Sequence, residues 1–141
     1  MFKNIIMATG LILSLSACST FNTTQKFDKP ENLLFINKEV GSLPLQVQRD
    51  EKLCENEKKD DQTCPIKFYI NDFKAGDFYT NNTATYYLKP AEYVLTVKNC
   101  KEKCDTFHTK INVVNELPNV NLILSIDHEG RPFITNKKSW R

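Results

Sequence analysis

The chain has 141 residues, 40% of them apolar and 11% aromatic, which suits one domain with its own core. Nineteen Lys and Arg against 17 Asp and Glu leave a formal net charge of +2; so even a balance argues against nucleic acid as a partner. Five cysteines in so short a chain point to an oxidising compartment rather than to the cytosol.

Met1-Phe2-Lys3-Asn4 carries one positive side chain. An uncharged apolar stretch runs from Ile5 to about Leu15, and Leu15-Ser16-Ala17-Cys18 follows. A charged start, a short apolar run and small residues before a cleavage point describe a secretory signal. A transmembrane helix needs roughly 20 apolar residues. The Leu-Ser-Ala-Cys ending resembles the lipobox of bacterial lipoproteins, in which the cysteine takes a diacylglycerol and the chain is cut before it. The resemblance implies a signal peptide over 1–17, lipid on Cys18, and a membrane as partner. Ser19, not Asp, follows the cysteine, which resembles the pattern exported to the outer membrane, so an outer-membrane, periplasm-facing location is expected. Buried acyl chains contribute about 0.8 kcal/mol per CH₂. Residues 18–31 are polar and poor in aliphatics and are expected to be a lipidated flexible tether. Residues 32–137 then form the domain, and 138–141 a tail.

Within the domain, a two-residue period dominates. Leu33-Leu34-Phe35-Ile36 is a short apolar run. Leu43 to Arg49 alternates, with Leu43, Leu45 and Val47 on one face. Asp50 to Thr63 is a charge-rich loop, read as a solvated connection pinned by its cysteine. Pro65 to Asn71 is the clearest strand, with Ile66, Phe68 and Ile70 facing one way. Turn signals follow at Asn71-Asp72, at Lys74-Ala75-Gly76-Asp77 and at Asn81-Asn82. Further strands are expected over Thr83–Leu88, Tyr93–Lys98, Phe107–Val114, Val120–Ile126 and Arg131–Thr135, the last closed by His128-Glu129-Gly130. No 3.6-residue stripe is present. The fold expected is all-β, an antiparallel β-sandwich of about seven to eight short strands stapled by disulfides. Asn is frequent and Gly scarce for a chain with so many turns.

With Cys18 assigned to lipid, Cys54, Cys64, Cys100 and Cys104 remain, and four cysteines allow three pairings. Cys64 precedes one strand and Cys100 follows another. If those strands are antiparallel neighbours, Cys64–Cys100 and Cys54–Cys104 form a nested pair of bridges, the scheme favoured here. The rival is two local bridges, Cys54–Cys64 and Cys100–Cys104. Cys100-x-x-x-Cys104 lacks the two-residue knuckle of zinc sites, and neither a metal nor another cofactor is expected.

The run from Cys64 to Gly76, followed by Tyr86-Tyr87-Leu88-Lys89-Pro90-Ala91-Glu92-Tyr93, resembles the strand–turn–strand core of PEGA-like domains. It is similar also to small uncharacterised bacterial lipoproteins, matching at Arg49, Cys64, Asn71, Pro90, Tyr93, Cys100 and Gly130. Asp72 and Ala91 stand where Gly is usual there. The resemblance implies a β-sandwich in the envelope and brings no catalytic residues.

No Gly-x-Ser-x-Gly, His-Glu-x-x-His or phosphate-cradling loop occurs. His108 falls on an outward strand position and His128 in a turn, so both read as surface residues and no catalytic set is expected. The outward aromatics Tyr69, Phe73, Phe78 and Tyr87 are the candidate binding patch. The expected role is a non-enzymatic envelope lipoprotein, a binding or structural module for an envelope protein or the cell wall. An accessory lipoprotein of a secretion, conjugation or surface-exclusion system is the alternative; a small envelope hydrolase or hydrolase inhibitor is the third.

Overall fold

The computed structural model describes residues 26–115 and 120–137. The expected signal peptide, the expected lipid site Cys18 and the expected tail at 138–141 lie outside the described residues. Eight strands follow in chain order: β1 (Leu43–Arg49), β2 (Ile66–Ile70), β3 (Phe73–Phe78), β4 (Thr83–Leu88), β5 (Ala91–Cys100), β6 (Cys104–Val113), β7 (Val120–Ile126) and β8 (Pro132–Asn136). They form two four-stranded sheets, β4-β1-β7-β8 and β3-β2-β5-β6. Every strand pair is antiparallel except β1–β7, where Leu45 to Arg49 lies parallel to Val120 to Leu124. The alternation read in the sequence becomes the core. Ile66, Phe68 and Ile70 of β2 face Leu45 and Val47 of β1 and Leu122 and Leu124 of β7, all buried, while Lys67 and Tyr69 turn outward.

The strand count is met by different segments than expected. The apolar run at 33–36 is not a strand, and the Lys74-Ala75-Gly76-Asp77 turn is the middle of β3. Asn71 and Asp72, at φ of 48° and 65°, form the two-residue hairpin turn that joins Ile70 to Phe73. That turn type needs positive φ at both central residues, and Asn with Asp supply it where Gly is usual. Asn32, Asn56 and Asn81 also sit at positive φ, which accounts for frequent Asn beside scarce Gly. Gly76 serves close approach instead. A β-carbon there would lie 2.8 Å from Tyr86 Oη and 3.0 Å from Leu33 Cδ2 and Phe78 Cε2. Gly76→Ala is therefore expected to destabilise by about 1–3 kcal/mol through overpacking, read from urea unfolding midpoints. Adding Tyr86→Phe should recover part of that loss; an unchanged midpoint for Gly76→Ala alone would contradict this account.

A bulge in β3 shifts its alternation. Phe68 pairs with Gly76 but Tyr69 pairs with Lys74, leaving Ala75 as the extra residue. The freed Ala75 carbonyl accepts the buried Tyr86 hydroxyl from the opposite sheet at 2.8 Å and the Leu34 N–H at 3.2 Å. Burial raises the Tyr86 phenol well above its ordinary pKa.

The segment before β1 straps the gap between the edges of β3 and β4. Glu31 and Asp77 exchange backbone bonds at 3.0 and 2.8 Å, and the Tyr87 N–H donates to the Phe35 carbonyl at 2.8 Å. Asn32 Nδ2 and Lys74 Nζ both reach the buried Asp77 carboxylate, at 2.6 and 2.7 Å. The docked chain begins earlier still. The Phe27 ring packs edge-on against Tyr79 at 4.8 Å, and Asn82 Nδ2 donates to the Phe27 carbonyl at 2.8 Å. Docked chain thus reaches back to about residue 27, because these side chains anchor part of what reads as polar tether.

Candidate functional site

Strand register gathers the chemistry-bearing loops at one end of the sandwich. Gln48 lies opposite Thr83, Arg49 beside Leu124 and Lys67 opposite Lys98. The end of β1, the start of β2, the β3–β4 turn, the β5–β6 hairpin and the β7–β8 hairpin therefore share that end. Arg49 is wholly buried there. Its guanidinium donates to the carbonyls of Phe78 at 2.8 Å, Lys52 at 3.2 Å and Cys64 at 3.3 Å, tying β1 to both neighbouring loops of the other sheet. Loss of water lowers its pKa from the ordinary value, opposed by Glu57 and Asp50.

The cysteines pair locally, Cys54 with Cys64 and Cys100 with Cys104, which overturns the nested Cys64–Cys100 and Cys54–Cys104 expectation. The premise behind nesting holds, since β2 and β5 are antiparallel neighbours. Side-chain parity defeats it. Cys64 shares the inward face of Ile66 and Phe68 and is 1% exposed. On β5 the inward positions are Leu95, Val97 and Asn99, so Cys100 points outward. The β5–β6 hairpin also runs further than its apolar residues suggest, placing Cys100 directly opposite Cys104, with Cα atoms 4.1 Å apart.

Two residues that sequence reasoning passed over organise the inner bridge. Glu57 accepts the backbone N–H of Cys64 at 2.6 Å, of Cys54 at 3.2 Å, and of Thr63. Asn99 Nδ2 donates to the Gly130 carbonyl at 2.8 Å and lies 3.5 Å from Cys54 Sγ. The signal for Asn99 was available: it continues the inward series of Leu95 and Val97. Glu57 carried none, because its role depends on a loop closed by the bridge. Cys54, Glu57 and Cys64 are the one group of metal-type side chains drawn together among the described residues, and with the sulfurs bridged and the carboxylate taken by backbone N–H groups they are occupied with each other.

Above the inner bridge lies an open cleft of about 540 Å³. Its walls are the 52–56 loop, the 101–103 hairpin tip and the 126–130 turn, with Cys64 and Asn99 at the floor. Three lysines, at 52, 101 and 103, stand against acids at 55, 102, 105, 127 and 129, so the cleft has mixed charge and suits a polar ligand more than a strongly anionic one. The 127–131 turn is self-fastened. The backbone N–H of Arg131, its guanidinium and the backbone N–H of Glu129 hold the Asp127 carboxyl down to about 2, against some desolvation. A folded value below the ordinary 3.8 means this contact is fully present above that pH and is lost as pH falls through about 2.

The four patch aromatics do not assemble. Phe78 is core, fully buried against Phe68, because the bulge at Ala75 turns it inward opposite Ile66. Tyr69 lies on the outer face of one sheet beneath Lys98 Nζ, 5.0 Å from the ring centroid. Tyr87 lies outward on the other sheet. Phe73 alone is strongly exposed, at 62%, at the end away from the cleft. There it meets Phe35 at 6.3 Å, beside exposed Leu34 and Ile36. The histidines are likewise apart: His108 Nδ1 lies 2.8 Å from Thr96 Oγ1 on the outer face of β5–β6, and His128 is exposed at the β7–β8 turn. No protein family, curated protein or solved structure matches the chain.

Proposed function

We propose that this chain is an outer-membrane lipoprotein, anchored through Cys18, whose sandwich is a non-enzymatic module for binding an envelope protein or the cell wall. The observation that carries the reading is the docking of Phe27 at the cleft end. It leaves residues 18–26, nine residues, between lipid and fold. At about 3.3–3.6 Å per residue that linker spans at most roughly 30 Å. The cleft end then faces the anchoring membrane. The Phe35–Phe73 pair with Leu34 and Ile36 points away from it, where exposed apolar side chains meet proteins rather than the anchoring lipid.

Cys18→Ser is expected to yield unprocessed precursor that leaves the outer-membrane fraction. Membrane fractionation and intact-mass measurement check it; normal fractionation of the variant would overturn the anchored reading. For the binding reading, a photo-crosslinker at Phe73 should capture a defined envelope component in living cells, and a lack of any crosslink from that end would count against it. The apolar group at the far end also favours a second reading, an accessory lipoprotein of a multi-protein surface assembly.

A further inference from the structure

The two bridges of this domain differ in what can reach them. Cys54 and Cys64 are 5% and 1% exposed, roofed by Asn99 and clasped by Glu57. Cys104 is exposed and Cys100 half-buried, at the tip of a hairpin. Each bridge governs one wall of the cleft: the inner one closes the loop from Cys54 to Cys64, which carries Glu55 and Asn56 of that wall, and the outer one encloses residues 101–103. Thiol–disulfide exchange requires a thiolate to approach a sulfur directly, so access selects between bridges.

We propose that Cys100–Cys104 is a thiol–disulfide exchange site for a dithiol reductant, and that its opening releases the 101–103 wall of the cleft while the sandwich stays folded. The reductant's thiolate attacks Sγ of Cys104, forming a mixed disulfide. The Cys100–Cys104 bond breaks and Cys100 leaves as a thiolate, which takes a proton. The reductant's second thiol then displaces Cys104, which is protonated in turn. The reductant departs as its own disulfide, having supplied two electrons. The fold tolerates this because nine of the ten β5–β6 residue pairs, Ala91↔Val113 to Asn99↔Asp105, lie inward of the bridge. Opening Cys54–Cys64, by contrast, requires Asn99 and the loop clasped by Glu57 to come away from the buried sulfurs first. Such opening is populated at a level on the order of a thousandth or less, so the inner bridge should react about a thousandfold more slowly, or slower still.

The test uses the full chain, oxidised and purified in detergent. It is treated with dithiothreitol at neutral pH, trapped over time with N-ethylmaleimide and mapped by mass spectrometry. Cys100 and Cys104 are expected to be labelled first, with the circular dichroism spectrum unchanged. Hydrogen exchange should rise at residues 101–103 and not at 52–56. Simultaneous labelling of both pairs, prior labelling of Cys54 and Cys64, or loss of structure as Cys100 and Cys104 open would each overturn the proposal. A Cys100→Ser/Cys104→Ser chain should stay folded; its failure to fold would equally overturn it, by making the bridge a structural requirement.

Discussion

Arg49→Ala should be the most damaging single substitution outside the apolar core, with a loss of about 3–5 kcal/mol. The guanidinium makes three charge-assisted bonds to carbonyls, of Phe78, Lys52 and Cys64, each contributing about 1.5–3 kcal/mol. Against that stand desolvation of a buried cation and the Nε atom, which is buried without a partner. The net is therefore below the sum of the bonds. Alanine removes the donor and leaves the carbonyls of Phe78, Lys52 and Cys64 facing a cavity. Their orphaning, at about 1–3 kcal/mol each, dominates the cost. Arg49→Lys should fall between, since one ammonium cannot span three acceptors in a fork. Urea unfolding at constant m checks both. A loss under about 1 kcal/mol for Arg49→Ala would show that water satisfies those carbonyls and that the fork is not what joins the sheets at this end.

Replacing Cys54 and Cys64 together by Ser is the second large effect, with a loss of about 3 kcal/mol from the loop-closure entropy of a ten-residue separation. For a domain of this size that lowers the thermal midpoint by roughly 10–15 °C. Glu57 and Asn99 remain in the variant, yet their bonds depend on the closed loop, so they do not compensate. The 52–56 wall of the cleft should loosen with it, visible as faster hydrogen exchange there. A midpoint within about 2 °C of the parent would mean that Glu57 and the Gln62–Thr80 contacts, at 2.9 Å in both directions, hold the loop unaided.

The all-β character and most of the core were legible in the sequence. Alternation in β2, β4, β5 and β7 is a local property, set by a pleat of period two and by the demand that one face be dry. The even set of four cysteines was legible for the same local reason, as a count. The details that depend on which segments meet were not. Residues 74–77 read as a turn, which leaves Phe78 among the outward aromatics although it lies on β3 opposite Ile66. It turns inward because Ala75 bulges, and the bulge is held by a hydroxyl from Tyr86 on the other sheet. Gly76 reads as a turn because its use, room for that same ring, lies across the core.

The candidate site divides in the same way. That the cysteine loops cluster at one end followed from strand direction. Their partners followed from side-chain parity at strand ends and from a hairpin extending past its apolar residues, and neither is visible until register is known. The strap from Phe27 to Ile36 is the extreme case. Its residues carry no period, and it docks through a handful of bonds to Asp77, Ala75, Asn82 and Tyr87. The inward faces of β1, β2, β5 and β7 could be read from alternation alone, because it needs no knowledge of neighbours. The cysteine pairing, the bulge and the strap could not be read that way: the pairing depends on register and side-chain parity at strand ends, and the bulge and strap on groups distant in sequence.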